Sequence, residues 1–316
     1  MKPPRISVII CTHNPRKELL ARTLECLRAQ SLPVADWELL IVDNASREPV
    51  ALTADQLWHP AARVLVEAEV GVTAARLRGI SEARAELIVF VDDDNLLIPQ
   101  YLERAASLAQ GWPMLGVWGC GIYQPDWEVA PPAGFAEYIK YLAVHAVPRD
   151  RWSNQLFDYG ATPLCAGMCV RIEVARQYSE NVRRDSRRKL LGRAGANLTG
   201  CEDFDLAFTA IDRGQGIGVF RELAMTHVIP RFRIEESYLL RLIEGHFYST
   251  VLLHYLRDPS LTPPRGGLIA RIREFRLQRA LSPIVLKIHA ARRRGEARGW
   301  ALVASLSSTA ASASPG

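Results

Sequence analysis

Three consecutive carboxylates, Asp92-Asp93-Asp94, directly follow the apolar run Leu87-Ile88-Val89-Phe90-Val91. Such a run reads as a strand buried on both faces. Unpaired charge is costly to bury, so the acids belong where the strand leaves the sheet. Adjacent acids repel one another unless they share a cation. Along an extended chain Asp92 and Asp94 point to one side and Asp93 to the other. That pair suits a hard divalent ion, Mg²⁺ or Mn²⁺, with phosphate oxygens as its remaining ligands. The competing reading is a solvated acidic turn that caps a helix starting near Pro99.

Two further apolar runs end in polar residues in the same way. Residues 6–11 lead into Thr12-His13-Asn14-Pro15, and residues 37–42 lead into Asp43-Asn44-Ala45-Ser46. Between them a helix reaches about Gln30, with Leu19, Leu20, Thr23, Leu24 and Leu27 at helical spacing. A fourth strand is expected at 63–66 and a helix from Gly71. Strands alternating with helices imply a parallel, doubly wound α/β sheet. Ligands of such sheets bind beyond the carboxyl ends of the strands. Three strand ends thus deliver Thr12, Asn14, Asp43, Asn44, Asp92 and Asp94 to one edge. No GxGxxG follows the first strand and no GxxxxGK[ST] occurs, which disfavours a dinucleotide-binding domain and a P-loop NTPase.

Beyond the acids, residues 115–122 read as a glycine-broken strand and 123–134 as a loop. A helix is expected over 135–147, a strand over 165–171 and a further helix to about Tyr178. Residues 179–199, rich in Arg and Gly, read either as a solvated loop or as a mobile loop closing over an anionic substrate. Glu202 and Asp203 fall in the first turn of a helix ending at Arg213, where acids commonly serve as caps. Short strands follow at 217–220 and 224–229, then a long helix over 237–256.

Five of these stretches, in order and approximate spacing, resemble a family 2 glycosyltransferase over roughly residues 5–230. They are Ser7 through Asn14, Ile41 through Ser46, Gly71 through Ile80, Phe90 through Asn95 and Gly200 through Leu206. The resemblance implies a GT-A-type nucleotide-diphospho-sugar transferase fold: α/β, a mostly parallel central sheet flanked by helices, with a C-terminal helical appendage. It implies an inverting, metal-dependent transfer of a sugar to a carbohydrate or lipid-linked acceptor in surface polysaccharide or glycolipid assembly. Thr12, His13 and Asn14 would line the nucleotide pocket, with Asp43 on the base and Asn44 beside it. Arg76 and Arg78 would lie near the diphosphate and ribose. Asp92 and Asp94 match the DxD motif, with Asp93 between them, and His227 stands where related folds place a third metal ligand. Asp203 matches the general base, with Glu202 the next candidate. Leu77 or Arg78 replaces an Asn frequent in the family, and His13 replaces an aromatic residue.

The chain has 316 residues, 48% of them hydrophobic and 23% charged, with a net charge of +5. That balance suits an anionic ligand, a membrane surface or nucleic acid. Six scattered cysteines without CxxC spacing read as reduced, buried thiols in a cytoplasmic protein, and a zinc site is disfavoured. Neither a long apolar signal core at the start nor eighteen consecutive apolar residues occur. The expected division is a catalytic domain over 1–230 (a donor half, 5–122, and an acceptor half, 123–230), a basic helical appendage over 231–303 and a disordered tail over 304–316. The stretch 265–298 is strongly basic and carries an apolar stripe. It reads either as helices packed on the domain or as a segment lying on the inner face of an anionic membrane. Other functions weighed are a nucleotidyltransferase and a non-catalytic nucleic-acid- or partner-binding protein. The basic stretch lacks the interleaved aromatics that nucleic-acid binding would favour.

Overall fold

A computed structural model describes residues 3–53, 55, 58–132, 135–195, 197–264 and 281–312. The strands are β1 (Ile6–Thr12), β2 (Trp37–Asn44), β3 (Ala62–Glu67), β4 (Leu87–Asp92), β5 (Asn95–Leu97), β6 (Leu115–Trp127), β7 (His145–Ala146), β8 (Arg151–Ser153), β9 (Cys169–Arg171) and β10 (Gly216–Ile229). The helices are α1 (Lys17–Arg28), α2 (Val72–Glu82), α3 (Tyr101–Gly111), α4 (Ala136–Ile139), α5 (Ile172–Arg184), α6 (Glu202–Asp212), α7 (Glu236–Arg257) and α8 (Pro283–Ser312).

The strands form a single sheet in the order β3-β2-β1-β4-β9-β6-β10-β5, with β7 on β6 and β8 on β10. The long pairings β1–β2, β1–β4, β2–β3 and β6–β10 are parallel, whereas the short strands β5, β7, β8 and β9 pair antiparallel. β2 is buried at every position, as a strand covered on both faces should be. β3, at the sheet edge, leaves Val66 exposed. One core lies on the α1 and α3 side of the sheet, and a second on the side of α2, α5 and α6.

The parallel α/β frame expected from the sequence is therefore present, with local differences. Of the helix expected over 135–147 only α4 forms; the chain then turns, Ala143 adopts φ 51°, and β7 pairs with β6. Tertiary packing overrides propensity there, because Tyr138 and Leu142 are drawn into a cluster with Leu239 and Ile288. The two short strands expected at 217–229 are one strand, β10, with a register shift between Phe220 and Ala224.

Leu252, Leu253 and Leu256 of α7 bury into the same core as Phe208 and Val117. α8 lies along α7 and runs through positions 304–312, where the sequence reads as a disordered tail. It turns Ile288, Ala291, Gly295, Gly299 and Val303 toward α7, so the apolar stripe of this helix is consumed by packing. The basic residues 265–280 and positions 313–316 lie outside the described residues. Among the described residues no helix is long and apolar enough to cross a membrane. All six cysteines are unpaired, and four of them are buried.

Candidate active site

The strand register brings the candidate residues to one edge. Thr12 at the end of β1 lies beside Asp43 of β2, and Cys11 beside Asp92 of β4. The Thr12 hydroxyl donates to Asp93. After Asp92 the chain turns through Asp93 and Asp94 and re-enters the sheet as β5. Alternation along an extended chain thus does not govern the three acids, because two of them form a turn. β5 pairs with β10 so that Asn95 faces His227. Asp94 lies 3.6 Å from the Nε2 of His227 as a result.

Burial raises the Asp93 carboxyl to about 6, with Asp94 adding to the shift. Burial and Asp94 likewise raise Asp92. Asp94 behaves oppositely: burial works against its charge, yet the Arg233 guanidinium holds it below the usual carboxylate range. Arg233, in a short 3-10 turn after β10, forms an ion pair with Asp94 at 3.0 Å and donates to the Nε2 of His227 at 2.9 Å.

The metal set expected from the sequence was Asp92, Asp94 and His227. Among the described residues no three His, Cys, Asp or Glu side chains converge as a ready-made metal site, so that triple is not preassembled. Asp94 and His227 do converge, and a carboxylate with an imidazole fits Mn²⁺ better than Mg²⁺ when substrate phosphates complete the shell. The cation standing at those two atoms here is the Arg233 guanidinium.

Asn44, Asp43 and Asn14 build the rim. The Asn44 amide donates to the carbonyls of Glu67 and Glu69 and accepts from Gly71 N–H, fixing the entry to α2. Gly71 holds φ 142°, which favours glycine. Asp43 accepts from the backbone N–H groups of Ser46 and Val50, and Asn14 accepts from that of Arg47. His13 contacts the Asn44 carbonyl at 2.6 Å. A cavity opens among Thr12, His13, Asn44, Gly71, Ala75 and Arg193.

The charge of Arg76 acts on Asp92. Its guanidinium forms a buried ion pair with Glu202 at 2.6 Å. Arg78 pairs with Glu82 on the outer side of α2 at 3.1 Å, away from this cluster. Asp203, beside Glu202 at the start of α6, is pushed up to about 7 by burial and by Glu202, against the pull of Arg76. The helix dipole alone would favour the charged form; burial and a like charge prevail.

Sequence reasoning missed Arg193 and Arg233. Arg193 is exposed on the loop after the 3-10 turn Ser186–Leu191, whose end is tied to α2 by Val72 N–H donating to the Arg193 carbonyl. Its charge acts on both Asp92 and Asp94. The signal available was the acidic run itself, which demands nearby cations.

Residues 7–130 match the sequence profile of Glycosyl transferase family 2. Over these residues the chain is similar to that family. An uncharacterized glycosyltransferase, YwdF, of Bacillus subtilis is 33% identical over 103 residues, covering 33% of this chain and 37% of the relative. Glycosyltransferase AglE of Haloferax volcanii is 32% identical over 111 residues, covering 34% and 36%. Glucosyl-dolichyl phosphate glucuronosyltransferase of the same archaeon is 26% identical over 141 residues, covering 44% of each chain. The chain thus spans less than half the length of these relatives. Family and sheet agree with the GT-A-type architecture that the resemblance implied.

Proposed function

We propose that this chain is an inverting, metal-dependent glycosyltransferase that moves a sugar from a nucleotide-diphosphate donor to an acceptor hydroxyl. The observation that carries the reading is Asp203, a carboxylate at the start of α6 with its proton affinity tuned to about 7. An acceptor hydroxyl is a poor nucleophile at neutral pH and needs a base with a pKa near the working pH. Asp203 takes that proton as the acceptor oxygen attacks the anomeric carbon and the diphosphate departs. One displacement with one base inverts the configuration. Glu202, fixed by Arg76, keeps the Asp203 proton affinity high.

The cavity beside Thr12, His13 and Asn44 takes the nucleoside, and Arg193 meets the diphosphate at its edge. A divalent ion held by Asp94 and His227 supplies charge neutralisation for the leaving group when bound. The name of the haloarchaeal relative specifies glucosyl-dolichyl phosphate; a lipid-linked acceptor and a place in surface polysaccharide or glycolipid assembly follow by analogy. Arg293, exposed on α8, supports contact with an anionic membrane surface, which liposome flotation at low salt tests. Turnover of a nucleotide-sugar panel tests the reaction: release of nucleoside diphosphate should require a divalent ion and fall by about 10²–10⁴-fold in Asp203→Asn. Release at the wild-type rate in that variant would contradict the assignment.

A further inference from the structure

Arg233 occupies the two atoms that a divalent ion would need. One guanidinium nitrogen forms an ion pair with Asp94 Oδ2 at 3.0 Å, and another donates to His227 Nε2 at 2.9 Å. The direct Asp94–His227 separation, 3.6 Å, is too long for a hydrogen bond between them. His227 Nε2 therefore accepts from Arg233, presenting its lone pair toward the cation. The guanidinium is imperfectly housed: its Nε and the His227 Nδ1 are both buried without partners. Leaving such groups unpaired is costly. Among the described residues Arg233 has no ion pair other than Asp94.

We propose that Arg233 is the resting counterion of the Asp94–His227 pair and that a divalent ion binds only by displacing it. The inference rests on the metal-dependent reading above. It makes metal binding by the protein alone weak and couples it to donor binding, since the diphosphate supplies the missing ligands while the released guanidinium remains beside a phosphate it can fork. Arg233 is in this sense a positioning residue, acting through Asp94 and His227.

The test is Mn²⁺ binding to the full chain without nucleotide, read from the electron paramagnetic resonance signal of free Mn²⁺. Removing the competing charge by Arg233→Met should tighten binding at least about tenfold, the equivalent of about 1.4 kcal/mol. Arg233→Gln, which keeps an amide donor for Asp94 and so protects the fold, should shift affinity in the same direction. Adding Asp94→Asn to either variant should abolish the gain. Equal or weaker Mn²⁺ binding in both single variants would overturn the proposal, as would a gain that survives Asp94→Asn. These measurements use neither nucleotide nor turnover, so the sugar-transfer reading fails separately, by absence of nucleotide binding in the wild type.

Discussion

Arg76 of α2 and Glu202 of α6 stand 126 positions apart and form a buried ion pair of 2.6 Å. It ties the helix beside the proposed donor cavity to the helix that carries Asp203. Both side chains are nearly excluded from solvent, at 7% and 8% exposure. Removing one partner of a buried pair leaves an uncompensated charge, which costs about 3–5 kcal/mol. Arg76→Met should lower unfolding stability by that amount in a denaturant titration. The double variant Arg76→Met with Glu202→Leu should recover most of the loss. A single variant as stable as the wild type would show that the pair does not hold the two helices together.

Asp203→Asn should reduce transfer by about 10²–10⁴-fold, the usual weight of a positioned base, while leaving nucleotide affinity unchanged. Calorimetric titration with the nucleotide beside an initial-rate assay separates the two effects. A parallel loss of affinity would make Asp203 a binding residue instead.

The same carboxyl sets a pH dependence. With its folded-state value near 7, transfer should fall as pH drops below about 7. Stability runs the other way. The folded pKa is raised above the ordinary 3.8, so the folded state favours the protonated acid. No penalty exists below about pH 4; it grows as pH rises between that value and 7 and is complete above. Asp203→Asn should therefore be more stable than the wild type at pH 8 and equal to it near pH 4, as compared by denaturant midpoints. A variant that is less stable at pH 8 would contradict the assigned shift.

Much of this was legible in the sequence because periodicity and polar strand ends report directly on a parallel sheet. Runs such as Leu87 through Val91 could only be buried, and the acids after them only at an edge. What was not legible depended on contacts between distant segments. Nothing local marks Arg76 as the partner of Glu202, and Arg233 follows His227 by six positions without any periodic pattern to single it out. The failure of strand alternation at Asp92-Asp93-Asp94 has a local cause, the turn that lets β5 pair with β10. Likewise Asp43 and Asn44 reach the expected edge, yet their hydrogen bonds go to the backbone of the neighbouring loops.

Gly245 of α7 lets the loop carrying Leu198 and Thr199 lie against the helix. A Cβ there would clash with the Leu198 carbonyl oxygen, whereas at Gly111 in α3 it would meet nothing within 4 Å. Gly245→Ala should destabilise by about 1–3 kcal/mol or more, because backbone must move. Gly111→Ala should be neutral or stabilising by up to about 1 kcal/mol. Paired thermal melts check both, and equal effects would contradict the packing described.

The central claim, a metal-assisted nucleotide-diphosphate site at the carboxyl edge of the sheet, is tested most directly by ligand-dependent unfolding. Thermal melts would be recorded with UDP, GDP, dTDP and CDP, each with and without Mn²⁺, for the wild type and Asp94→Asn. Ligand at a hundred times its dissociation constant adds about 2.7 kcal/mol to the folded state. The account predicts that one nucleotide raises the midpoint, that Mn²⁺ enlarges the shift, and that Asp94→Asn removes the Mn²⁺ part. No shift with any nucleotide, or a Mn²⁺ effect that survives Asp94→Asn, would contradict it.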